Sequence, residues 1–151
     1  MTQRSLVLAA AAGSAALLLG AWTFQMLGYP PCKLCLWQRW PHGVAAVIGL
    51  IYLLRPMALL PLLGGLAALA TGGVGLYHTG VERDWWQGPT TCTSGDITGL
   101  TTDQLMDQIL SAPLIRCDEV AWEFLTLSMA SWNMLISLVL AGLWLAAWRQ
   151  V

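Results

Sequence analysis

The sequence predicts an all-α membrane protein, a four-transmembrane-helix bundle with a short and a long loop on one side of the membrane. The first observation is the composition, because 57% of the 151 residues are hydrophobic and only 10% are charged, whereas soluble domains carry about 25% charged residues. The second is that charges are missing from long stretches of the chain. This composition excludes an ordinary soluble enzyme and a disordered chain. A net charge of -1 also provides no basic surface for nucleic acid.

Four apolar stretches supply the predicted spans within a single domain, residues 1–151. A helix needs about 20 predominantly apolar residues to cross a hydrocarbon core about 30 Å thick. We expect helices at approximately residues 5–27, 36–54, 57–78 and 125–148. The second is short unless it begins near Cys35 and Arg39 extends its charged end to the interface. A cleaved signal peptide is an alternative for the first stretch, but the apolar run continues to Leu27 and is too long for one.

Small and aromatic residues are placed as expected for helices packed in lipid. Small residues recur every four positions in two spans and predict close helix packing: Ala12, Ala16 and Gly20, and Gly64, Ala68 and Gly72. Tryptophans are typical of the two membrane interfaces. We expect one group of them at each surface: Trp37, Trp40, Trp85, Trp86 and Trp122, and Trp144 and Trp148.

Four spans leave both termini on one side and two loops, approximately residues 28–40 and 79–123, on the other. Lysines and arginines near the spans number three on the terminal side and four on the loop side, so the positive-inside rule does not decide the orientation. All four cysteines lie in the loops. Because disulfide bonds persist in oxidising compartments, we expect periplasmic loops and cytoplasmic termini.

A short amphipathic helix is predicted within the long loop, between Leu100 and Ala112. Thr101 or Thr102 can cap its start, where Asp103 also lies. The apolar and acidic side chains fall on opposite faces: Leu105, Met106, Ile109 and Leu110, and Asp103 and Asp107. Such a helix can lie flat on a membrane surface. The alternative is a helix packed on the rest of the loop.

Cys32 and Cys35 form a C-x-x-C motif where a loop enters a helix. A zinc site would draw on all four cysteines, but Cys92 and Cys117 are too far apart in the chain for a zinc-knuckle spacing. A c-type haem needs histidine directly after the motif, and Leu36 is there instead. A redox dithiol agrees best with the motif, and we expect no metal.

The surroundings of the motif favour a stabilised thiolate. Pro30 and Pro31 end any preceding helix, so a new helix is expected just after them. A thiol in a first helical turn lies at the positive end of the helix dipole, which lowers its pKa. Lys33 adds a cation, and Arg39 lies one turn beyond Cys35 on the same face. Arg39 could stabilise negative charge on sulfur or on an electron acceptor, or could simply extend to the membrane interface.

Cys92 and Cys117 in the long loop have two interpretations. One is a static disulfide that closes the loop, and the other is a second redox-active pair. Both place the loop in an oxidising compartment.

The ordered set of motifs around the cysteines resembles the bacterial disulfide-bond formation protein B family, DsbB. The matching segments are Pro31-Cys32-Lys33-Leu34-Cys35 followed by Arg39, Tyr77-His78-Thr79 ahead of Thr91-Cys92, and Cys117-Asp118-Glu119 with Trp122, Phe124 and Leu125. The order of spans, loops and cysteine pairs is also similar. The resemblance covers nearly the whole chain.

The resemblance implies a quinone-dependent protein thiol oxidase of the bacterial inner membrane. A reduced periplasmic DsbA-like protein would attack the Cys92–Cys117 disulfide, with Cys92 forming the mixed disulfide. Cys117 would then exchange with the first pair through Cys32. Cys35 would pass the electrons to a membrane quinone, either ubiquinone or menaquinone. Because structural disulfides typically have potentials below about -300 mV, we expect the loop disulfide to be labile and exposed.

The resemblance also assigns the surroundings of the quinone. Arg39 occupies the position of the family's quinone-side arginine, and His78 lies near its quinone-proximal histidine. The family often has an acidic residue before that arginine, whereas this chain has Gln38, so a role for that carboxylate is absent. No role in the family is carried over to His42.

Two rival hypotheses remain. Relatives of vitamin K epoxide reductase also combine a membrane C-x-x-C with loop cysteines and a quinone, but their C-x-x-C follows the loop pair, whereas here it precedes it. The second rival is a non-enzymatic four-helix membrane protein whose loops are braced by two structural disulfides. Transport would be supported by charges deep within a span, and no such charge is present.

Overall fold

Four long helices dominate the computed structural model, which describes residues 2–93, 99–111 and 115–150. In chain order the elements are α1 Gln3–Met26, α2 Lys33–Leu54, α3 Leu60–Glu82, α4 Thr102–Ser111, β1 Glu123–Phe124, β2 Leu127–Ser128 and α5 Met129–Trp148. Helix α3 packs along α2 and α5, and α1 packs along the same two helices from the other side. The result is a four-helix bundle in which α1 and α3 are diagonal.

The predominantly helical architecture is confirmed. Among the described helices, α1, α3 and α5 are long and apolar enough to cross a membrane. Helix α2 has a similar length but contains Arg39, Pro41 and His42. Helix α4 lies in the long loop where an amphipathic helix was predicted, although Ala112 falls outside the described residues.

Trp144 is buried in the core of the bundle, so it does not face lipid as an interfacial tryptophan would. Its side chain is fully buried. Gly64 makes room for it, because a Cβ at Gly64 would lie 2.6 Å from the indole ring. Gly64, Ala68 and Gly72 are all buried, as expected for close packing of α3.

The prediction that the small-residue stripe of α1 packs against a neighbouring helix is wrong. Ala12 and Ala16 are exposed, whereas Ala10, Ala11 and Ser14 are buried. The neighbouring face of α1 therefore enters the core. The stripe lies on a face of α1 outside the core, where Ala16 and Gly20 line a cavity described below.

Helix α2 begins at Lys33, and Cys32 is its N-cap. The Cys32 Sγ accepts a hydrogen bond from the backbone N–H of Cys35 at 3.2 Å. Pro30 and Pro31 precede the cap, where backbone N–H groups have no helical role. The C-x-x-C therefore straddles the start of the helix, with Cys32 before it and Cys35 in its first turn.

A two-stranded hairpin precedes the last helix and was not predicted from the sequence. Its strands pair Glu123 with Ser128 and Phe124 with Leu127. Leu125 and Thr126 form the turn with φ values of 52° and 65°, which suit the right-handed twist of a tight hairpin but are uncommon for residues with a Cβ. The hairpin delays the start of α5 to Met129.

Candidate functional site

Three of the four cysteines are nearly inaccessible and belong to one buried cluster at the loop end of the bundle. Cys32, Cys92 and Cys117 are 5%, 2% and 0% exposed, and they pack with Leu34 and Val81. Cys35 is half-buried against the same cluster. The fold thus brings together two cysteine pairs that are separated by more than 50 residues of chain.

The two pairs differ in their bonding. Cys92 and Cys117 form a disulfide, whereas Cys32 and Cys35 are free thiols whose sulfurs lie 2.8 Å apart. The loop disulfide was predicted to be exposed, and this prediction is wrong. Its sulfurs are covered because Leu34 from α2 and Val81 from α3 pack against them.

Lys33 links the two cysteine-bearing loops. Its Nζ donates a hydrogen bond to the Thr91 hydroxyl at 3.0 Å and lies 5.8 Å from the centre of the Trp37 ring. The backbone N–H of Cys117 also donates to the carbonyl of Cys92. The Lys33 contact holds the long loop against the start of α2, and the Cys117 bond closes the loop on itself.

The Cys32 thiol acts as a donor toward its neighbour. Its Sγ donates to the Cys35 Sγ, and the pKa of Cys32 is raised well above its usual range, first by this hydrogen bond and then by burial. The proton of the pair therefore resides on Cys32. Cys35, the sulfur that receives the hydrogen bond, is the more exposed of the two.

His78 on α3 lies beside the first pair. Its Nε2 is 3.6 Å from the Cys32 Sγ, and its Nδ1 is 2.9 Å from the side-chain nitrogen of Gln38. His78 and Gln38 are 3% and 6% exposed, so this polar contact is buried. The sequence predicted His78 as a site residue but provided no signal that Gln38 contacts it.

Glu82 is a site residue that the sequence reading missed. It follows His78 by one helical turn, and its Oε1 lies 3.7 Å from the His78 Nε2. Its other oxygen accepts a hydrogen bond from the Ser128 hydroxyl. The spacing of four residues places both side chains on one face of α3, which is the signal that could have identified it.

Arg39 connects α2 to the end of α1. Its Nη1 donates to the Gln25 side-chain oxygen at 2.8 Å, and its Nη2 donates to the Ala21 carbonyl at 3.2 Å. A guanidinium has five N–H donors, so three remain for other acceptors beside these two bonds. Arg39 faces the same cavity as Cys35.

A cavity of ≈ 460 Å³ opens beside the first cysteine pair. Its polar wall comes from α2 and α3 and includes Cys32, Cys35, Gln38, Arg39, His78 and Glu82. Its apolar wall comes from α1 and the residues around β1, including Ala16, Leu17, Gly20, Phe24, Trp122 and Phe124. Pockets of about 300–1,000 Å³ with apolar walls and a few polar groups are typical of small-molecule sites.

The segment after Cys117 also lines this cavity through Arg116 and Glu119. Arg116 makes two bonds to Asp118, from Nε at 2.9 Å and from Nη2 at 2.8 Å. It also pairs with Glu119 at 3.1 Å. The hydrogen bonds to Asp118 raise the pKa of Arg116, so this loop presents a permanently charged, internally paired cluster.

Cys32, Cys35 and His78 offer three donor atoms that lie within 4.8 Å of one another. Two thiolates and an imidazole would suit zinc. A ligating histidine, however, donates its other ring N–H to a second group, whereas here the Nδ1 of His78 faces the N–H donors of Gln38. The surroundings of His78 therefore favour thiol chemistry over metal binding.

His42 follows Gln38 by one turn of α2. Its Nε2 is 2.8 Å from the Asn133 side-chain oxygen, and it is 3% exposed. It also lines the cavity. The bond to Asn133 satisfies Nε2, whereas Nδ1 is buried without a hydrogen-bond partner among the described residues.

Comparison with protein-family models assigns the chain to a family. A family model described as "Disulfide bond formation protein DsbB" matches residues 3–147. The chain belongs to the DsbB family. The sequence resemblance is thereby confirmed, and membership identifies the molecule as a disulfide-bond formation protein of the membrane.

Individual relatives agree with this assignment to the DsbB family. Disulfide bond formation protein B 2 of Pseudomonas entomophila (strain L48) is 32% identical over 97% of this chain and 92% of its own length. Disulfide bond formation protein B of Polaromonas sp. (strain JS666) is 28% identical over 95% of this chain and 89% of its own. "Uncharacterized protein RP370" of Rickettsia prowazekii (strain Madrid E) is 29% identical over 74% of this chain and 67% of its own. No solved structure matches the chain significantly.

Proposed function

We propose that this DsbB-family protein is a quinone-dependent thiol oxidase that re-oxidises a periplasmic DsbA-like dithiol protein. The observation that carries the proposal is the meeting of both cysteine pairs in one buried cluster, directly beside a cavity with apolar and cationic walls. Two disulfides that only braced loops would not have to lie next to each other or beside a cavity. One pair is a disulfide and the other a dithiol, which is the difference that electron transfer between them requires.

The first exchange is with the partner protein. A partner thiolate attacks Cys92, breaks the Cys92–Cys117 bond and forms a mixed disulfide. The second partner thiol then displaces Cys92 and closes the partner's own disulfide. The partner loses two electrons and two protons, and Cys92 and Cys117 become thiols. Because both sulfurs are buried, the packing around Cys92 opens before this attack.

The second exchange is internal. The Cys117 sulfur attacks Cys32 in an oxidised Cys32–Cys35 pair, and Cys35 leaves as a thiolate. Cys92 then displaces Cys32 from Cys117 and restores the loop disulfide. The first pair is now the dithiol, which corresponds to the bonding in this structure.

The residues around the cavity are suited to a quinone. When bound, a quinone supplies a two-electron, two-proton acceptor. Arg39 would face a ring oxygen, Cys35 would face the ring, and His78 would lie in the wall beside it. The apolar wall from α1 would cover the isoprenoid side. Oxidation of the Cys32–Cys35 dithiol releases two electrons and two protons, which balances this acceptor. A DsbA-like protein has a potential of about -120 mV, so its oxidation requires a stronger oxidant of this kind.

The proposal includes the placement in the membrane. Helices α1, α2, α3 and α5 would span the bacterial inner membrane, with both termini in the cytoplasm. Helix α4 would lie on the periplasmic surface, because its exposed apolar residues Met106, Ile109 and Leu110 share one face. The cysteine cluster would then lie at the periplasmic interface, where an aqueous thiol protein and a lipid-soluble quinone can both reach it.

The test is quinone reduction by the purified protein in detergent, with a reduced DsbA-type protein as donor. The signal is loss of oxidised ubiquinone or menaquinone absorbance. We expect turnover in the wild type and none in Cys35→Ser or Cys92→Ser. With a small dithiol as donor, Cys92→Ser should keep activity that Cys35→Ser lacks, because small thiols can bypass the loop pair. Absence of quinone reduction with every dithiol would overturn the proposal.

A further inference from the structure

Gln38 is fixed in one orientation by its own helix. Its side-chain nitrogen donates to the carbonyl of Leu34 at 3.3 Å, one turn earlier on α2. An amide oxygen at this position would face another carbonyl oxygen, so the hydrogen bond assigns the nitrogen. The same nitrogen carries a second hydrogen and lies 2.9 Å from the His78 Nδ1.

This contact determines the tautomer of neutral His78. A ring nitrogen that accepts a hydrogen bond carries no proton, and the other ring nitrogen then carries it. Nδ1 accepts from Gln38, so the proton is on Nε2. That Nε2 lies 3.6 Å from the Cys32 Sγ and 3.7 Å from the Oε1 of Glu82, so its proton can be directed toward the cysteine pair.

The hydrogen bonds continue in the same direction beyond His78. The Cys32 Sγ donates to the Cys35 Sγ at 2.8 Å. Donors therefore run from Gln38 to His78, from His78 to Cys32 and from Cys32 to Cys35. Hydrogen bonds aligned in this way polarise and strengthen one another. The chain ends on the half-buried sulfur that lines the cavity.

We propose that Gln38 is a positioning residue that holds His78 in its Nε2–H tautomer and thereby directs a chain of donors onto the Cys35 sulfur. Donation to a sulfur favours its thiolate form, and the thiolate is the form that gives up electrons. The inference rests on the proposed function, because it assigns Cys35 as the electron-donating sulfur.

A carboxylate at position 38 would reverse the chain. A carboxylate only accepts hydrogen bonds, so in Gln38→Glu the introduced side chain would accept a hydrogen bond from a protonated Nδ1 and leave Nε2 as an acceptor. Nε2 would then accept the S–H of Cys32, and Cys35 would lose its donor. Among the described residues, Glu82 on α3 and Arg39 on α2 act electrostatically on Cys35, and Arg116 and Glu119 line the same cavity. All four are unchanged in such a variant.

The first experiment reads the tautomer directly. The chain has two histidines, so ¹⁵N-histidine labelling of the reduced protein gives two sets of ring-nitrogen signals, assigned with His42→Gln. We expect His78 as the Nε2–H tautomer in the wild type and as the Nδ1–H tautomer in Gln38→Glu. His42, bonded to Asn133, should be unchanged and reports that the variant is folded. An unchanged His78 tautomer in Gln38→Glu would overturn the inference.

The second experiment reads the Cys35 thiolate without a quinone or a partner. The reduced proteins are alkylated with iodoacetamide near neutral pH, and Cys35 modification is followed by mass spectrometry. A hydrogen bond to a charged group is worth enough to change thiolate population by about one power of ten, so we expect roughly tenfold slower alkylation in Gln38→Glu. Gln38→Asn, which is too short to reach His78, should fall between the two. Equal rates in all three proteins would contradict the inference.

These two readouts separate this inference from the proposed function. The tautomer and the alkylation rate are measured on quinone-free protein, so neither result depends on quinone turnover. If both change as expected while the wild type reduces no quinone, the proposed function fails. If turnover is present and both readouts are unchanged in Gln38→Glu, only the role of Gln38 fails.

Discussion

The Lys33 Nζ donates a hydrogen bond to the Thr91 hydroxyl at 3.0 Å, which joins the residue after Cys32 to the residue before Cys92. The contact spans 58 positions of the chain. It connects the two loops at the point where the two cysteine pairs meet. The bond is exposed to solvent, so its contribution to stability is small, and its importance lies in positioning one pair against the other.

Removing this contact should slow exchange between the pairs without unfolding the protein. We expect Thr91→Val to reduce the rate of internal disulfide exchange a few-fold, because the loop loses one positioning bond. The rate is measured by mixing protein oxidised at Cys32–Cys35 with one equivalent of reduced partner and alkylating at intervals. Thr90→Val is the matched control and should behave as the wild type. Equal rates in both variants would show that the contact does not position the loop.

Burial protects the loop disulfide, so weakening the packing around it should expose it to reductants. Val81 is 2% exposed within the cysteine cluster. Val81→Ala removes two buried carbons at about 0.8 kcal/mol each, so we expect roughly tenfold faster reduction of Cys92–Cys117 by dithiothreitol if local opening limits the reaction. Val47→Ala, on an exposed face of α2, is the control. A rate unchanged in Val81→Ala would mean that reduction does not require this opening.

Arg39 should affect quinone affinity more than the thiol exchange steps. Its guanidinium faces the cavity while bound to Gln25 and the Ala21 carbonyl. We expect Arg39→Met to raise the KM for quinone about tenfold or more and to leave the exchange between Cys117 and Cys32 nearly unchanged. Gln25→Leu, which removes only the anchor, should have a smaller effect on KM. If slower exchange and not a higher KM accounts for the loss of turnover, Arg39 acts on the cysteines.

The Cys32 thiol should remain protonated at a pH where ordinary cysteines ionise. Donation to Cys35, and then burial, raise its pKa, whereas a free cysteine ionises at about pH 8.5. Because only the thiolate is alkylated, Cys32 in the reduced folded protein should react more slowly than in the unfolded chain at that pH. Cys35→Ala removes the acceptor, lowers the pKa of Cys32 and should accelerate its alkylation several-fold. Slower or unchanged alkylation of Cys32 in Cys35→Ala would contradict this assignment.

The buried indole of Trp144 should make Gly64 intolerant of a larger residue. A Cβ at Gly64 would lie 2.6 Å from the ring, whereas one at Gly73 on the same helix would meet nothing within 4 Å. We expect Gly64→Ala to lower the free energy of unfolding in detergent by about 1–3 kcal/mol. Gly73→Ala should be neutral or stabilising by up to about 1 kcal/mol. Equal stability of the two variants would show that the packing around Trp144 relaxes freely.

The sequence by itself determined the helical architecture and the family of this protein. Long charge-free stretches specify apolar helices because hydrocarbon excludes unpaired charges and unpaired backbone groups. The C-x-x-C after Pro30 and Pro31 specifies a cysteine pair at a helix start, because proline excludes a preceding helical turn. Both signals are local, so they do not depend on the tertiary fold.

Only the tertiary structure decided which side chains from different helices are in contact. Burial of the loop disulfide depends on Leu34 and Val81, which belong to two different helices. The position of Trp144 depends on the glycine opposite it on α3, since tryptophans at an interface and in a core have the same local sequence pattern. The contact between Gln38 and His78 joins positions 40 residues apart. No periodicity in the chain encodes that distance, because it arises only when α2 and α3 pack side by side.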